Sequence, residues 1–139
     1  ETVIILDHFG GPLGIGPYEG QGDRIYESWK EAISELASSS NVFFKLGGIN
    51  MKVNGYKWHK KAHPPTSDQL AELTGRYYEF CINHFGSKRC MFESNFPVDK
   101  ASVSYQVLWN AYKKLTRQLT EEEKNDLFYQ TAATVYKLN

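Results

Sequence analysis

Three short apolar runs, each followed by a long loop and then an amphipathic segment, set the rhythm of this chain. The first run, Thr2 to His8 (TVIILDH), predicts a strand. A loop from Gly10 to Gly22 follows, holding six glycines and two prolines; a connection that long in a compact domain is usually functional. Ile25, Trp29, Ile33 and Leu36 then recur every three or four residues and predict a helix from about Arg24 to Ala37, with Asp23 as its N-cap and Ser38-Ser39-Ser40 as its stop.

The cycle repeats twice. Val42 to Leu46 predicts a second strand, and Gly47 to Pro65 a second long loop. Thr66 with Gln69 forms a capping box that opens a helix with Leu70, Leu73, Tyr77, Phe80 and Cys81 on one face and Gly86 just past its end. Cys90 to Ser94 predicts a third strand, running into a loop at Pro97. A third helix is expected from about Ser102 to Leu119, with Tyr105, Leu108, Trp109, Tyr112 and Leu115 inward. A last one starts at the Thr120/Glu123 capping box, with Leu127, Phe128, Ala132, Val135 and Tyr136 inward. Strands nearly continuous in Val, Ile, Phe and Leu, separated by helices, imply a parallel sheet covered by helices. Three strands cannot close a barrel. The chain opens on Glu1-Thr2 inside its first apolar run, so the expectation is a piece of something larger, with exposed sheet edges through which it self-associates.

Composition narrows the function. Sixteen basic and sixteen acidic residues leave no net charge, which argues against nucleic acid as the main partner. No apolar run approaches the length of a membrane span, and no signal peptide is visible, so a cytoplasmic protein is expected. Cys81 and Cys90 lack metal spacing and read as buried reduced thiols. The glycines of the first loop fit neither a GxGxxG nor a P-loop frame.

The polar residues at the strand ends carry a resemblance. Leu6-Asp7-His8-Phe9-Gly10-Gly11-Pro12, Asn41 to Gly48 (NVFFKLGG) and Arg89 to Pro97 (RCMFESNFP), with the closing stretch Leu127 to Leu138, resemble in order and spacing the later strands and final helix of the amidohydrolase-related family. The resemblance implies an α/β fold, a partial TIM (β/α)8 barrel with three parallel strands and about four helices, the whole of 1–139 being the C-terminal portion of that domain. It implies a hydrolase acting on a lactone or a similar C–O or C–N bond. It also implies a divalent metal, zinc or similar, in the complete barrel, held by a His-x-His pair that this chain lacks.

On that resemblance His8 is the histidine at the end of the sixth strand, a proton carrier or metal ligand, since an imidazole titrates near neutrality. Strict alternation sends Asp7 to the opposite face, in a structural role. Asn95 stands where the family has an Asp that acts as general base, and an amide cannot take up a proton at neutral pH. Glu93 falls on the same face as Met91 and Asn95 and brings a carboxylate close below it; Asp99, in the following loop, is a second candidate. Lys45 is expected to pair with Glu93 across adjacent strands, because an isolated buried charge is costly. Catalysis is therefore assigned to His8, Asn95 and Glu93. Contacts to a small, anionic substrate are assigned to Lys45 and, in the lysine-rich second loop, to Asn50, Tyr56 and Trp58. His59 and His63 are four apart, but Pro64-Pro65 opposes the helix that metal binding would need. The competing reading is a catalytically inactive barrel domain used for ligand or protein binding, which Asn95 favours and His8 opposes.

Overall fold

The computed structural model describes residues 2–138. Its sheet has three parallel strands in the order β1 (Ile4–Leu6), β2 (Val42–Leu46) and β3 (Cys90–Phe92), with Ile4 opposite Val42 and Phe44 opposite Cys90. The helices are α1 (Gly22–Ala37), α2 (Ser67–Phe85), α3 (Tyr105–Leu115), α4 (Glu121–Asn125) and α5 (Thr131–Tyr136). A π-helical turn, Asp126–Gln130, joins α4 to α5, so the last three pieces form the single closing helix the sequence predicts.

Register decides which side chains are buried. Paired residues of parallel strands share a face, so Leu6, Val42, Phe44, Leu46, Cys90 and Phe92 point together. That face meets the helices: Phe44 and Leu46 are fully buried, and Phe92 stacks on Tyr112 with ring centroids 4.4 Å apart. Phe9 sits at the centre of the aromatic core. Its ring meets the edges of Tyr78 and Phe44, and its carbonyl accepts a hydrogen bond from Trp29 Nε1 at 2.7 Å. Arg89 ties the lower ends together by donating to the carbonyls of Ala37, Ser39 and Phe85, at the ends of α1 and α2. Both cysteines are free and buried, and burial pushes the Cys90 thiol up to about 12.

Both capping boxes form as expected. Thr66 accepts from the Gln69 amide while Gln69 caps Thr66, and Thr120 and Glu123 repeat the arrangement. Other boundaries move. β1 and β3 are three residues each, shorter than the expected Thr2–His8 and Cys90–Ser94. α1 starts earlier, with Gln21 at its N-cap, and Asp23 in its first turn pairs with Arg76 at 2.8 Å instead of capping. α3 is confined to Tyr105–Leu115 because Ser104 supplies the cap, accepting from the Val107 amide. The π turn inserts a residue and rotates the closing helix, so Thr131 and Ala133 are buried in place of Ala132 and Val135. Leu73, expected on the inner face of α2, is 46% exposed.

No described helix is long and apolar enough to cross a membrane. β1 and β3 are the outer strands of the sheet, and Val3 and Ile4 beside the first edge are each 51% exposed. Replacing fully buried Phe44 with Ala is expected to lower unfolding free energy by about 3–5 kcal/mol, whereas Leu73→Ala changes it by less than about 0.5 kcal/mol. Urea unfolding of the two variants of the full-length protein checks this contrast.

Candidate functional site

The carboxyl ends of all three strands deliver polar side chains to one small centre. Glu93, just past β3, is 12% exposed and lies between two partners. His8 Nδ1 meets its Oε1 at 2.5 Å, and Lys45 Nζ meets its Oε2 at 2.7 Å. The expected Lys45–Glu93 pair is thus present, and it comes from register: Lys45 is opposite Met91, so Glu93 lies one step beyond on the same face. Burial alone would lower the Lys45 ammonium, but its hydrogen bonds to Glu93 and Asp7 outweigh that and raise it to about 12. A cation held this way stays charged through the whole neutral range.

Asp7 does not turn away. Its Oδ1 lies 3.1 Å from Lys45 Nζ, on the same face of the sheet as Lys45. The expected opposition of Asp7 and His8 fails because the strand ends at Leu6 and His8 and Phe9 both adopt left-handed backbone, with φ of 54° and 56°. Alternation holds only in extended chain. The turn sends the His8 ring back toward Glu93 and drives Phe9 into the core. Left-handed backbone at a bulky residue is strained and persists where its surroundings fix it.

Two glycines make room for this meeting. A Cβ at Gly47 would lie 2.3 Å from Glu93 Cγ, and one at Gly48 would lie 2.7 Å from His8 Nδ1. Gly48 also has φ of +76°. Tyr112, buried on α3, donates its hydroxyl to the Glu93 carbonyl at 2.9 Å and fixes the backbone that carries the carboxylate. Sequence reasoning placed Tyr112 only in the core.

Asn95 takes a different position from the one alternation gives. With φ of 52° it leaves the strand direction, and its Nδ2 donates to Asp99 Oδ1 at 3.0 Å. Asp99 is fully buried in a 3₁₀ turn, Val98–Ala101, not in an open loop. Its Oδ2 is buried with no hydrogen-bond partner among the described residues. Burial raises the Asp99 carboxyl to about 6, against the opposing pull of the Asn95 amide, the His8 charge and the Asn50 backbone, with Glu93 adding to the rise. The sequence carried one signal for it, its spacing of four from Asn95, but nothing in the residue pattern announced its burial.

The second loop packs inward. Asn50 is 2% exposed and accepts from Trp58 Nε1 at 3.1 Å. Tyr56 stacks on Trp58 at 5.8 Å and directs its hydroxyl to the Leu73 carbonyl. Lys57 pairs with Glu19 of the first loop, and Lys61 lies over the Trp58 ring. The two long loops join through Gly14 N–H donating to the Val53 carbonyl and Asn54 Nδ2 donating to the Pro12 carbonyl.

These donors do not make a metal centre by themselves. Among the described residues no three His, Cys, Asp or Glu side chains converge as ligands. His8 Nδ1 and both Glu93 oxygens are already engaged. A ligating His8 would have to use Nε2, with its companions supplied from outside this stretch.

A buried acid with a raised pKa opposes folding as it ionises. Asp99 is neutral in the native state at low pH, so its penalty is absent below the ordinary carboxyl value, builds as pH rises from about 4 to about 6, and is complete above that. The groups facing it are Asn95, His8 and Glu93 at the strand ends, Asn50 in the loop and Tyr112 and Tyr78 behind. Asp99→Asn keeps an oxygen for the Asn95 amide. It is expected to match the parent near pH 3 and to exceed it at pH 8 by up to about 3 kcal/mol in urea unfolding.

Comparison with known proteins agrees with this architecture. The amidohydrolase family pattern matches residues 1–138. An uncharacterized protein, y4mH, from Sinorhizobium fredii is 36% identical over 99% of this chain and 40% of its own length. The L-fucono-1,5-lactonase of Burkholderia multivorans is 29% identical over 97% of this chain and 43% of its own. Crystal structures of an amidohydrolase from Burkholderia multivorans, one with bound HEPES and one with bound zinc, superpose with TM-scores of 0.82 and 0.81. Identity is 25% and 26%, over 99% of this chain and 45% of theirs. The chain therefore spans less than half the length of the relatives it matches, and its sheet is part of a (β/α)8 barrel. From the family match over 1–138 and the shared barrel geometry, the chain belongs to the amidohydrolase family.

Proposed function

We propose that the full-length protein hydrolyses a lactone or a similar C–O or C–N bond at the carboxyl rim of the barrel. The observation that carries this reading is the His8–Glu93–Lys45 constellation, three groups from three strands meeting where parallel barrels place their chemistry. The lactonase relative supports the substrate class.

The roles follow from the hydrogen bonds. Glu93 on Nδ1 fixes the His8 ring and leaves Nε2 to take a proton from an attacking water and return it to the leaving oxygen. Lys45 has three N–H donors, of which Asp7 and Glu93 use two; the third suits the negative charge that develops on a carbonyl oxygen. Asn95 has its amide NH2 turned to Asp99, which leaves Oδ1 as an acceptor that orients water or a substrate hydroxyl. Asn50, Tyr56 and Trp58 hold the shape of the second loop and contribute to the substrate wall. The other half of the reactive centre comes from strands of the kind the relatives carry beyond the matched stretch. His8 Nε2 is the atom this half could offer to a divalent metal. The substrate is a small molecule.

A second reading, an inactive barrel that binds without turnover, is favoured by one feature: the family's carboxylate position holds an amide committed to Asp99. A panel of sugar and dicarboxylate lactones, tested with and without divalent metal, separates the two. The hydrolytic reading expects turnover of at least one lactone and a fall in kcat/KM of about 100-fold or more in Glu93→Gln. No turnover by the parent protein, with activity appearing in Asn95→Asp, establishes the binding-only reading.

A further inference from the structure

Asp99 is buried at the strand ends and has no part in the proton and charge transfers assigned to His8, Glu93 and Lys45. Its backbone is pinned on both sides. The Asp99 N–H donates to the Asn95 carbonyl at 3.0 Å, and the Asp99 carbonyl accepts from the Ser102 and Val103 amides at 2.9 and 3.0 Å. These bonds close the turn from Asn95 toward α3, and none of them involves the carboxyl group. The carboxyl meets one side chain, with Oδ1 accepting from Asn95 Nδ2 at 3.0 Å. Oδ2 is buried and has no partner among the described residues. The phenols behind it are spent elsewhere, Tyr78 on Tyr112 and Tyr112 on the Glu93 carbonyl. Of the groups that favour its charged form, the Asn95 amide contributes most, ahead of His8 and the Asn50 backbone.

Folding does not account for a charge in this place. The backbone bonds that hold the turn would survive an amide in place of the acid, and the buried carboxylate costs stability at neutral pH. A carboxylate does one thing that an amide does not: it accepts hydrogen bonds and cannot donate them. Facing it, the Asn95 amide has a single satisfied orientation, with NH2 toward Asp99 and Oδ1 away. A group that both donates and accepts would satisfy either end of Asn95, and the preference would be lost. Asn95 is half-buried and in left-handed backbone, and no described residue donates to its Oδ1.

We infer that Asp99 is a positioning residue whose carboxylate fixes the polarity of the Asn95 amide, so that Asn95 offers the rim an acceptor and never a donor. Water or a substrate hydroxyl is held there, and a substrate carbonyl or carboxylate is opposed by the lone pairs of Oδ1. Asp99 acts only through Asn95. This role rests on the hydrolytic use of Asn95 and adds what sets its orientation. A signal from the amide itself reads that orientation without any turnover, so either can fail without the other.

The test compares the full-length protein, labelled with nitrogen-15 asparagine, with its Asp99→Asn, Asn95→Ala and Asn95→Ala/Asp99→Asn variants at about pH 8, where Asp99, raised to about 6, is ionised. Circular dichroism confirms that each is folded. The Asn95 side-chain signals are those missing from Asn95→Ala. One Asn95 NH2 proton of the parent is expected well downfield of exposed amides, as a charge-assisted bond implies, and Asp99→Asn should return it to the ordinary range. For a lactone that the parent turns over, kcat/KM should fall about tenfold in Asp99→Asn while the urea midpoint holds or rises. Between Asn95→Ala and the double variant it should change by less than about twofold, since the effect passes through Asn95. Asp99→Ser, whose hydroxyl also donates as well as accepts, should show the same losses. An Asn95 amide signal indifferent to Asp99→Asn, an undiminished kcat/KM in that variant, or a fall of equal size with and without the Asn95 side chain overturns the inference. If the parent turns over no lactone, the hydrolytic reading fails and the amide signal alone decides whether Asp99 orients Asn95.

Discussion

The Glu93 carboxylate lies at the rim of the sheet with an imidazole nitrogen on one oxygen and an ammonium on the other, and the surrounding structure is arranged around that double contact. A carboxylate this enclosed is unfavourable unless both oxygens are satisfied. One partner comes from the turn after β1 and the other from β2, so the three strands must hold their register for the centre to exist. Gly47 and Gly48 lack side chains where a Cβ would collide with Glu93 and His8. Tyr112 anchors the Glu93 backbone from the helical layer. The aromatic core therefore does more than stabilise: through Phe9 and Tyr112 it fixes the two chain segments on which His8 and Glu93 ride.

Around this pair the site contains a graded set of charges. Lys45 is shared by Glu93 and Asp7 and stays cationic. Asp99 is sealed behind Asn95 with one oxygen unpartnered among the described residues, and burial moves it into the range where a carboxyl exchanges protons near neutral pH. In place of one exposed carboxylate at the end of the last strand, the chain has an amide in front and an acid behind it, joined by a hydrogen bond. At the strand ends two groups displaced from their ordinary pKa, Lys45 and Asp99, lie beside residues in left-handed backbone, His8, Phe9 and Asn95, a combination found where structure serves chemistry.

Much of this was legible before any coordinates. The capping boxes at Thr66 and Thr120 located two helix starts because their hydrogen bonds are local and involve residues three apart. The parallel sheet followed from apolar runs separated by helices, and the Lys45–Glu93 pair followed from the cost of isolated charge. What was not legible depended on backbone leaving regular geometry. The left-handed turn at His8 and Phe9 brought the His8 ring round to the face that Asp7 and Lys45 already share, against the alternation rule. The turn at Asn95 redirected that side chain to Asp99. The π turn at Asp126–Gln130 rotated the closing helix. Asn and His enter left-handed backbone more readily than most residues, but the sequence does not say which of them does so.

The most direct measurement is the protonation pattern of the His8 ring, read by long-range nitrogen–proton NMR of the full-length protein with selectively labelled histidine. The account predicts that Nδ1 carries the proton even when the ring is neutral, with a strongly downfield resonance that disappears in Glu93→Gln. A neutral ring protonated on Nε2, or an Nδ1 signal indifferent to the loss of the Glu93 charge, would contradict it.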